Sequence, residues 1–214
     1  MFKLYREPAY EEELVIAADP ADGGSDFCAA VAKSRKHHDT VMVFHGHMES
    51  GQFGHEAYRM AKFIQRRTNI WPIIGPERNT GMAMIYVLQE LNYPRLFRMP
   101  NNLAVVDKPM EKKIGWVTNM ATRQKMLDDL ALSIRQHINI IPDEETVLEL
   151  IAFIRNPRTG KPEAMPGKHD DLVMAEAIAW QILQFTPANS PTDWQRIINQ
   201  FPVDDGIPDY ARIK

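Results

Sequence analysis

The stretch 171–185 constrains the fold more than any other feature, because it is almost wholly apolar. After the opening Asp171, Glu176 is its one charged residue. A helix that is apolar around its whole circumference is normally buried on all sides. The stretch therefore predicts a central helix enclosed by other layers, and with 44% apolar residues the chain can build a core around it.

The composition excludes several classes of protein. No apolar run approaches the roughly 18 residues of a membrane span, and no secretory leader opens the sequence. Cys28 is the only cysteine, which excludes an internal disulfide and fits a reducing, intracellular setting. The net charge of −3 excludes DNA binding driven by bulk positive charge, although local basic groups can still contact phosphates.

Three strands are predicted before the first helix. Residues 14–18 form a continuous apolar run, which is typical of a strand buried on both faces. The run stops at Asp19, and the turn residues 22–24 lead into a returning strand over 27–33. A third strand is predicted over 41–44. The sheet is therefore expected to open on an antiparallel hairpin.

The rest of the chain alternates helices with short strands. The predicted helices span 54–67, 82–91, 119–135 and 144–154, and the predicted strands span 71–74 and 151–155. Short strands or a hairpin are predicted over 96–109, and a loop or extended hairpin over 156–168. A proline-rich tail follows from Thr186, with a short helical segment around 193–200. The pattern predicts one α/β domain.

Carboxylates occupy the ends of two predicted strands and the start of the central helix. Asp19 ends the first strand, Glu77 follows an apolar strand, and the helix opens with Asp170 and Asp171. Side chains at strand ends of an α/β sheet converge on one edge, where ligands usually bind. Gathered carboxylates repel one another, and hard oxygen ligands favour Mg²⁺ or Mn²⁺. A divalent-metal site is predicted, while a turn role for Asp19, a solvated strand end at Glu77 and a helix-capping aspartate stay as alternatives.

Four motifs surround these carboxylates: IAADPADGGSD at 16–26, GPERNTG at 75–81, GWVTN at 115–119 together with Arg123, and KHDDLVMA at 168–175. On these motifs the chain resembles the nuclease domain of the large terminase subunit of tailed bacteriophages. The resemblance extends over about 16–184, which is most of the chain. No single motif carries it, but their order and local context are specific.

The resemblance implies an α/β fold of the RNase H-like (RuvC-like) class. Such a fold has a mixed sheet of five or more strands, antiparallel opening strands and helices on both faces. The resemblance also implies a metal-dependent endonuclease that cuts concatemeric double-stranded viral DNA. Asp19, Glu77, Asp170 and Asp171 match the family's catalytic and metal-binding acidic cluster, with Asp171 favoured over Asp170 as the main ligand. Two Mg²⁺ or Mn²⁺ ions are implied, with Asp19 as the natural bridging ligand, for two-metal phosphodiester hydrolysis.

Further residues are predicted to orient this cluster or to contact DNA, namely His169, Asn79, Arg123, Lys168, Arg158 and Lys161. The alternatives are an exposed loop position for His169, a helix cap for Asn79 and a surface salt bridge for Arg123. DNA binding by the isolated domain is expected to be weak, salt-sensitive and largely independent of sequence.

Basic and histidine-rich segments outside these motifs are weaker candidates for function. Residues 33–38 and 66–67 carry lysine and arginine and are candidates for contact with DNA, although a solvated surface is the ordinary role of such residues. His45, His47 and His55 suggest a zinc site, but no cysteine lies nearby to complete a structural one. The zinc interpretation is therefore disfavoured.

The predicted organisation has three parts: a linker remnant at 1–13, the nuclease domain at 14–186 and a C-terminal tail at 187–214. Large terminases also carry an ATPase domain, and this sequence has no G-x-x-x-x-G-K-[ST] loop, so a separately expressed nuclease domain is expected. The implied partners are double-stranded DNA, an ATPase domain, the small terminase and the portal, in the cytoplasm of the infected host cell. The alternatives are a junction-resolvase or transposase-type nuclease, or a motor docking module without activity.

Overall fold

The structure, a computed structural model, describes residues 2–21, 27–100, 113–156, 158 and 160–186. Its strands are β1 (Lys3–Leu4), β2 (Leu14–Asp19), β3 (Cys28–Ser34), β4 (Thr40–Gly46), β5 (Ile73–Pro76), β6 (Phe153–Arg155) and β7 (Pro162–Ala164). Its helices are α1 (Ser50–Thr68), α2 (Met82–Glu90), α3 (Met120–Arg135), α4 (Glu144–Ala152) and α5 (Asp171–Phe185). The helices predicted between 54 and 185 and the three opening strands are confirmed. The predicted turn 22–24, most of the predicted strands over 96–109 and the tail 187–214 with its helical segment lie outside the described residues.

Five strands form one mixed sheet in the order β1-β4-β3-β2-β5. β3 pairs antiparallel with both β2 and β4, as the predicted hairpin requires, and β5 pairs parallel with β2. The register places Asp19 opposite Ala29 and Ala18 beside Pro76. β2 and β5 therefore run in the same direction and end at the same edge of the sheet. β6 and β7 form a separate antiparallel hairpin.

Helices cover both faces of the sheet, because successive residues of each central strand alternate between two cores. Ile16 and Ala18 of β2 belong to the core that also contains residues of α1 and α2. Val15 and Ala17 face the other core, where α5 lies against β2 and β3. α3 and α4 pack against α5 in turn. This position between two layers explains the apolar circumference of α5 and confirms the predicted central helix.

The segment 2–13, predicted as part of a linker, contributes to the fold. β1 pairs with β4, with Lys3 opposite Val43. The Arg6 guanidinium donates to Glu12 at 2.6 Å and to Asp39 at 2.8 Å, which attaches the segment to the domain. That the segment derives from a linker to another domain stays a prediction. None of the described helices is long and apolar enough to cross a membrane.

A buried ion pair joins β3 to α5. Lys33 Nζ lies 2.9 Å from Glu176 Oε2, and neither side chain is exposed. The ammonium also donates to Thr40 Oγ1 and Asn139 Oδ1, both at 2.7 Å, and the Thr40 hydroxyl donates to Glu176 Oε1. The interpretation of 33–38 as a DNA-facing basic segment is therefore wrong for Lys33. Strand alternation turns its side chain toward α5 instead of solvent.

Candidate metal centre

Two carboxylates lie at the edge where β2 and β5 end. Asp19 is the last residue of β2, and Glu77 directly follows β5. The backbone N–H of Glu77 donates to the Ala18 carbonyl at 2.7 Å, which carries the parallel pairing one residue beyond the end of β5. The two carboxylates are close enough to interact electrostatically. The predicted convergence of these two strand ends is thus observed.

A tight turn holds the buried Glu77 side chain. Its Oε2 accepts a hydrogen bond from the backbone N–H of Thr80 at 3.0 Å, and its Oε1 accepts one from that of Thr118 at 3.3 Å. Gly81 closes the turn, because a Cβ there would lie 2.1 Å from the Glu77 carbonyl oxygen. Asn79 donates its side-chain amide to the Thr118 carbonyl at 2.7 Å and so connects the two segments around Glu77. Asn79 does not cap α2, whose N-cap is Gly81.

The start of α5 brings Asp170 and Asp171 to the same edge with different partners. Arg123 of α3 donates from Nη2 to Asp170 Oδ2 at 2.8 Å, which balances the charge of Asp170. Asp171 Oδ2 lies 3.7 Å from Nδ1 of His169, whose side chain is half exposed. Asp170 occupies the N-cap position of α5, but its side chain makes no capping hydrogen bond. The alternative N-cap position is therefore confirmed for Asp170, but its carboxylate does not supply a capping hydrogen bond.

Asp19 experiences the charge of all these carboxylates. Burial raises its pKa well above the usual range, and the charges of Asp171, Glu77 and Asp170 raise it further. Arg123 acts in the opposite direction. Asp19 keeps some surface open to solvent, but protein atoms closely surround its carboxyl group. The group therefore carries more negative charge than the guanidinium balances, which is the condition that a bound cation relieves.

Glu149 of α4 joins this group, although no local motif marks it in the sequence. Its Oε2 accepts hydrogen bonds from the backbone N–H groups of Leu172 at 2.9 Å and Val173 at 3.2 Å, so Glu149 caps α5. Burial raises the pKa of Glu149 to about 7, and the charges of Asp171 and Asp170 act in the same direction. The two hydrogen bonds lower the pKa and offset only part of this rise. Within a predicted helix a glutamate ordinarily faces solvent. Only the packing of α4 against α5 brings Glu149 to the site.

His45, near the end of β4, forms a cluster with Glu149 and Asp171. One potential ligand atom from each of the three lies within 4.8 Å of the others. His45 Nε2 is 3.9 Å from Glu149 Oε1 and is shielded from solvent, and no described residue forms a hydrogen bond with it. Burial lowers the pKa of His45, which favours the neutral imidazole that binds metals. The sequence suggested His47 and His55 as partners of His45 at a zinc site. Within the described ranges, the potential metal ligands near His45 are the carboxylates of Glu149 and Asp171.

Phe27 packs against the histidines on this side of the site. Its ring centroid lies 4.5 Å from that of His45, 3.7 Å from that of His47 and 5.0 Å from that of His169. These contacts form an aromatic wall beside the carboxylates. The wall restricts the orientation of the His45 imidazole.

The basic residues predicted to contact DNA lie on the surface. Lys168 precedes the acidic pair and is exposed, as are Arg158 and Lys161 in the loop between β6 and β7. Arg123 is half-buried and bonded to Asp170, so the salt-bridge alternative describes its contact in this structure. A role for these side chains in DNA binding stays a prediction.

This sheet, with helices on both faces and carboxylates at the ends of β2 and β5, defines an RNase H-like α/β domain. The fold is similar to that of the large terminase nuclease from thermophilic phage G20c, with a TM-score of 0.65 and 14% identity over 84% of this chain and 87% of that chain. The same G20c nuclease with bound magnesium gives a TM-score of 0.62 at 15% identity, over 84% and 86% of the two chains. The large terminase nuclease domain of Thermus phage P74-26 gives 0.58 at 15% identity, over 84% of each chain.

No protein-family model and no curated protein matches the sequence. At identities of 14–15% the structural similarity establishes the fold. The RNase H-like class predicted from the sequence motifs is therefore confirmed.

Proposed function

We propose that this protein is a divalent-metal-dependent endonuclease that cuts concatemeric double-stranded DNA during packaging of a tailed-phage genome. The observation that carries the proposal is the convergence of Asp19, Glu77 and the 170–171 pair at one sheet edge, in a fold like that of large terminase nucleases. The G20c nuclease has been solved with bound magnesium, cobalt and zinc, which supports a divalent ion for this chain as well.

The donor set fits divalent cations. Carboxylate oxygens are hard ligands of the kind that Mg²⁺ and Mn²⁺ prefer. Because Arg123 balances Asp170, the ligands we propose for two such ions are Asp19, Glu77 and Asp171, with Asp170 oriented by its guanidinium partner. In two-metal hydrolysis the bound ions supply an activated water and stabilise the departing 3′ oxygen.

Neighbouring backbone groups and side chains contact the proposed ligands. The backbone N–H groups of Thr80 and Thr118 fix both oxygens of Glu77. His169, whose Nδ1 lies 3.7 Å from Asp171 Oδ2, would orient that carboxylate or a water molecule. The contacts from Thr80 and Thr118 fix the orientation of the Glu77 carboxylate at the end of β5.

DNA binding in this proposal relies on local basic groups. Lys168, Arg158 and Lys161 would contact phosphates, and the net charge of −3 keeps binding weak, salt-sensitive and largely independent of sequence. The proposed setting is the cytoplasm of the infected host cell. The proposed partners there are an ATPase domain, the small terminase and the portal, as the likeness to terminase nuclease domains supports.

Cleavage of supercoiled plasmid tests the proposal. We expect nicking and linearisation with Mg²⁺ or Mn²⁺ and none with EDTA. Asp19→Asn removes one ligand charge at nearly constant volume, so activity should fall by about 100-fold or more. Asp128→Asn is the matched control, because Asp128 lies exposed on α3 outside the acidic group, and it should cut like the wild type.

Three results would contradict the proposal. Equal cutting by the wild type and Asp19→Asn would assign the activity to another site or to a contaminant. Failure of the folded wild type to cut with either metal would remove the endonuclease assignment for this chain. Preference for branched junctions over linear duplex would indicate a different RNase H-like nuclease.

A further inference from the structure

We infer that His45, Glu149 and Asp171 form a mixed nitrogen–oxygen metal position that binds a later transition ion, such as Co²⁺ or Zn²⁺, in preference to Mg²⁺. The inference rests on the proposed function, because it adds His45 and Glu149 to Asp171 as ligands of one of the two proposed ions. Asp171 is the member that this position shares with the oxygen ligands Asp19 and Glu77. Two different metal positions therefore meet at the first residue of α5.

The spacing of the three donors suits one ion. Metal–ligand bonds of about 2.0–2.2 Å place neighbouring ligand atoms about 3 Å apart and opposite ones about 4.3 Å apart. The donors of His45, Glu149 and Asp171 lie within 4.8 Å of one another, and the His45 Nε2 to Glu149 Oε1 distance is 3.9 Å. Small side-chain rotations bring such a set into bonding range of a shared cation.

The imidazole of His45 is held with one nitrogen toward the carboxylates. Nε2 is shielded from solvent, and within the described residues it accepts or donates no hydrogen bond. Nδ1 faces Glu145 Oε2 at 3.8 Å, and a carboxylate on the second nitrogen is the usual arrangement for a metal-binding histidine. The Phe27 ring flanks the imidazole with its centroid 4.5 Å away. A buried nitrogen that faces carboxylates without bonding to them is accounted for by a cation between them.

Glu149 is preorganised as a ligand by the N-terminus of α5. Its Oε2 is bonded to the backbone N–H groups of Leu172 and Val173, which fixes the plane of the carboxylate. Its Oε1 is thereby directed to His45. One carboxylate thus caps a helix and presents its second oxygen to the candidate ion.

The imidazole determines which ion this position prefers. Mg²⁺ favours oxygen ligands, whereas imidazole suits later first-row ions, whose affinity for mixed nitrogen–oxygen sites rises along the series. Asp19 and Glu77 offer only oxygen. Selectivity between Co²⁺ and Mg²⁺ should therefore depend on His45.

Calorimetric titration of the full chain with CoCl₂ or MgCl₂, without DNA, tests the inference. His45→Phe keeps a ring against Phe27 and removes the nitrogen ligand, so Co²⁺ affinity should fall about 10- to 100-fold while Mg²⁺ affinity changes little. His47→Phe is the matched control, because His47 also packs on Phe27 but lies outside the ligand group, and it should keep the wild-type ratio. Glu149→Gln should weaken Co²⁺ binding in the same direction.

The outcomes separate this inference from the proposed function. An unchanged Co²⁺-to-Mg²⁺ affinity ratio in His45→Phe would overturn the inference, while Mg²⁺ binding that Asp19→Asn weakens would leave the proposed function standing. A wild type that binds no divalent ion would overturn both. If His45→Phe does not fold in EDTA, nitrogen NMR of the wild type decides. Zn²⁺ should then shift the Nε2 resonance of His45 and not that of His47, and an unshifted His45 resonance would overturn the inference.

Discussion

Two groups of buried charge lie toward opposite ends of the β2–β3 hairpin, and α5 contributes to both. At one end, Lys33 and Glu176 neutralise each other out of contact with solvent. At the other end, burial raises the pKa of Asp19 well above its usual range, and the neighbouring carboxylates raise it further. The first group pairs a cation with an anion, whereas among the described residues the second carries more negative charge than Arg123 balances.

The difference in charge balance distinguishes a group that stabilises the fold from a group that is a candidate for function. A buried pair whose partners satisfy each other serves the fold, and removing one partner leaves a buried charge without compensation. Carboxylates gathered without enough cations destabilise the folded state, so their presence indicates a role outside folding. The predictions that follow test this distinction.

The largest expected effect is at the balanced group. Lys33→Met should lower the free energy of unfolding by about 3–5 kcal/mol, because it leaves the Glu176 carboxylate buried without its ion pair. Lys36→Met, in the exposed turn after β3, should change it by less than about 0.5 kcal/mol. Urea unfolding at neutral pH measures both variants. Equal effects would show that the buried pair contributes nothing particular to stability.

Removing a charge from the acidic group should stabilise the metal-free protein, whereas removing one from the Lys33–Glu176 pair should destabilise it. In EDTA, Asp19→Asn should melt at a higher temperature than the wild type, because it removes a charge that burial and Asp171 disfavour. Metal at 100 times its Kd should stabilise the wild type by about 2.7 kcal/mol, and the variant by less. Scanning calorimetry with and without Mg²⁺ measures both differences. A lower melting temperature for Asp19→Asn in EDTA would contradict the comparison.

The turn that holds Glu77 should be sensitive to a single methyl group. In Gly81→Ala the new Cβ would meet the Glu77 carbonyl oxygen at 2.1 Å, so stability should fall by about 1–3 kcal/mol and stabilisation by metal should weaken. Gly51→Ala, in the first turn of α1, meets nothing within 4 Å and should be neutral or stabilising by up to about 1 kcal/mol. Denaturant unfolding of both variants checks the contrast. A Gly81→Ala variant as stable as Gly51→Ala would show that the turn relaxes.

The smallest expected effect is a pH dependence that comes from Glu149. Its folded-state pKa of about 7 lies above the ordinary value of 4.5, so between these values the folded protein holds a proton that the unfolded chain has released. The metal-free wild type should therefore lose stability relative to Glu149→Gln as the pH rises from 4.5 to 7, by about 1–2 kcal/mol after solvent screening. Unfolding in EDTA at several pH values measures the difference. A difference that stays constant with pH would show that the Glu149 carboxylate is not disfavoured in the fold.

Sequence patterns predicted most elements of the fold and part of the site, and the motif resemblance supplied the fold class. The apolar run ending at Asp19 and the strand before Glu77 carried both the strand assignments and the expected meeting of these carboxylates. Glu149 could not be predicted in this way, and the sequence suggested His45 only as a zinc ligand together with His47 and His55, not with these carboxylates. Glu149 and His45 each lie in an ordinary helix or strand pattern and reach the site only through the packing of α4 and β4 near the start of α5.

Sequence alone determined the helices, the strands β2 to β4 and the edge at which Asp19 and Glu77 end, because these depend on local apolar periodicity and on residues that terminate strands. It did not indicate β1, which lies in the segment predicted as a linker. Tertiary structure decided which charges are balanced. Lys33 with Glu176, Arg123 with Asp170 and His45 beside Glu149 are all distant in sequence. Whether a charge is compensated depends on what packs against it, and that is determined only when separate elements come together in the folded chain.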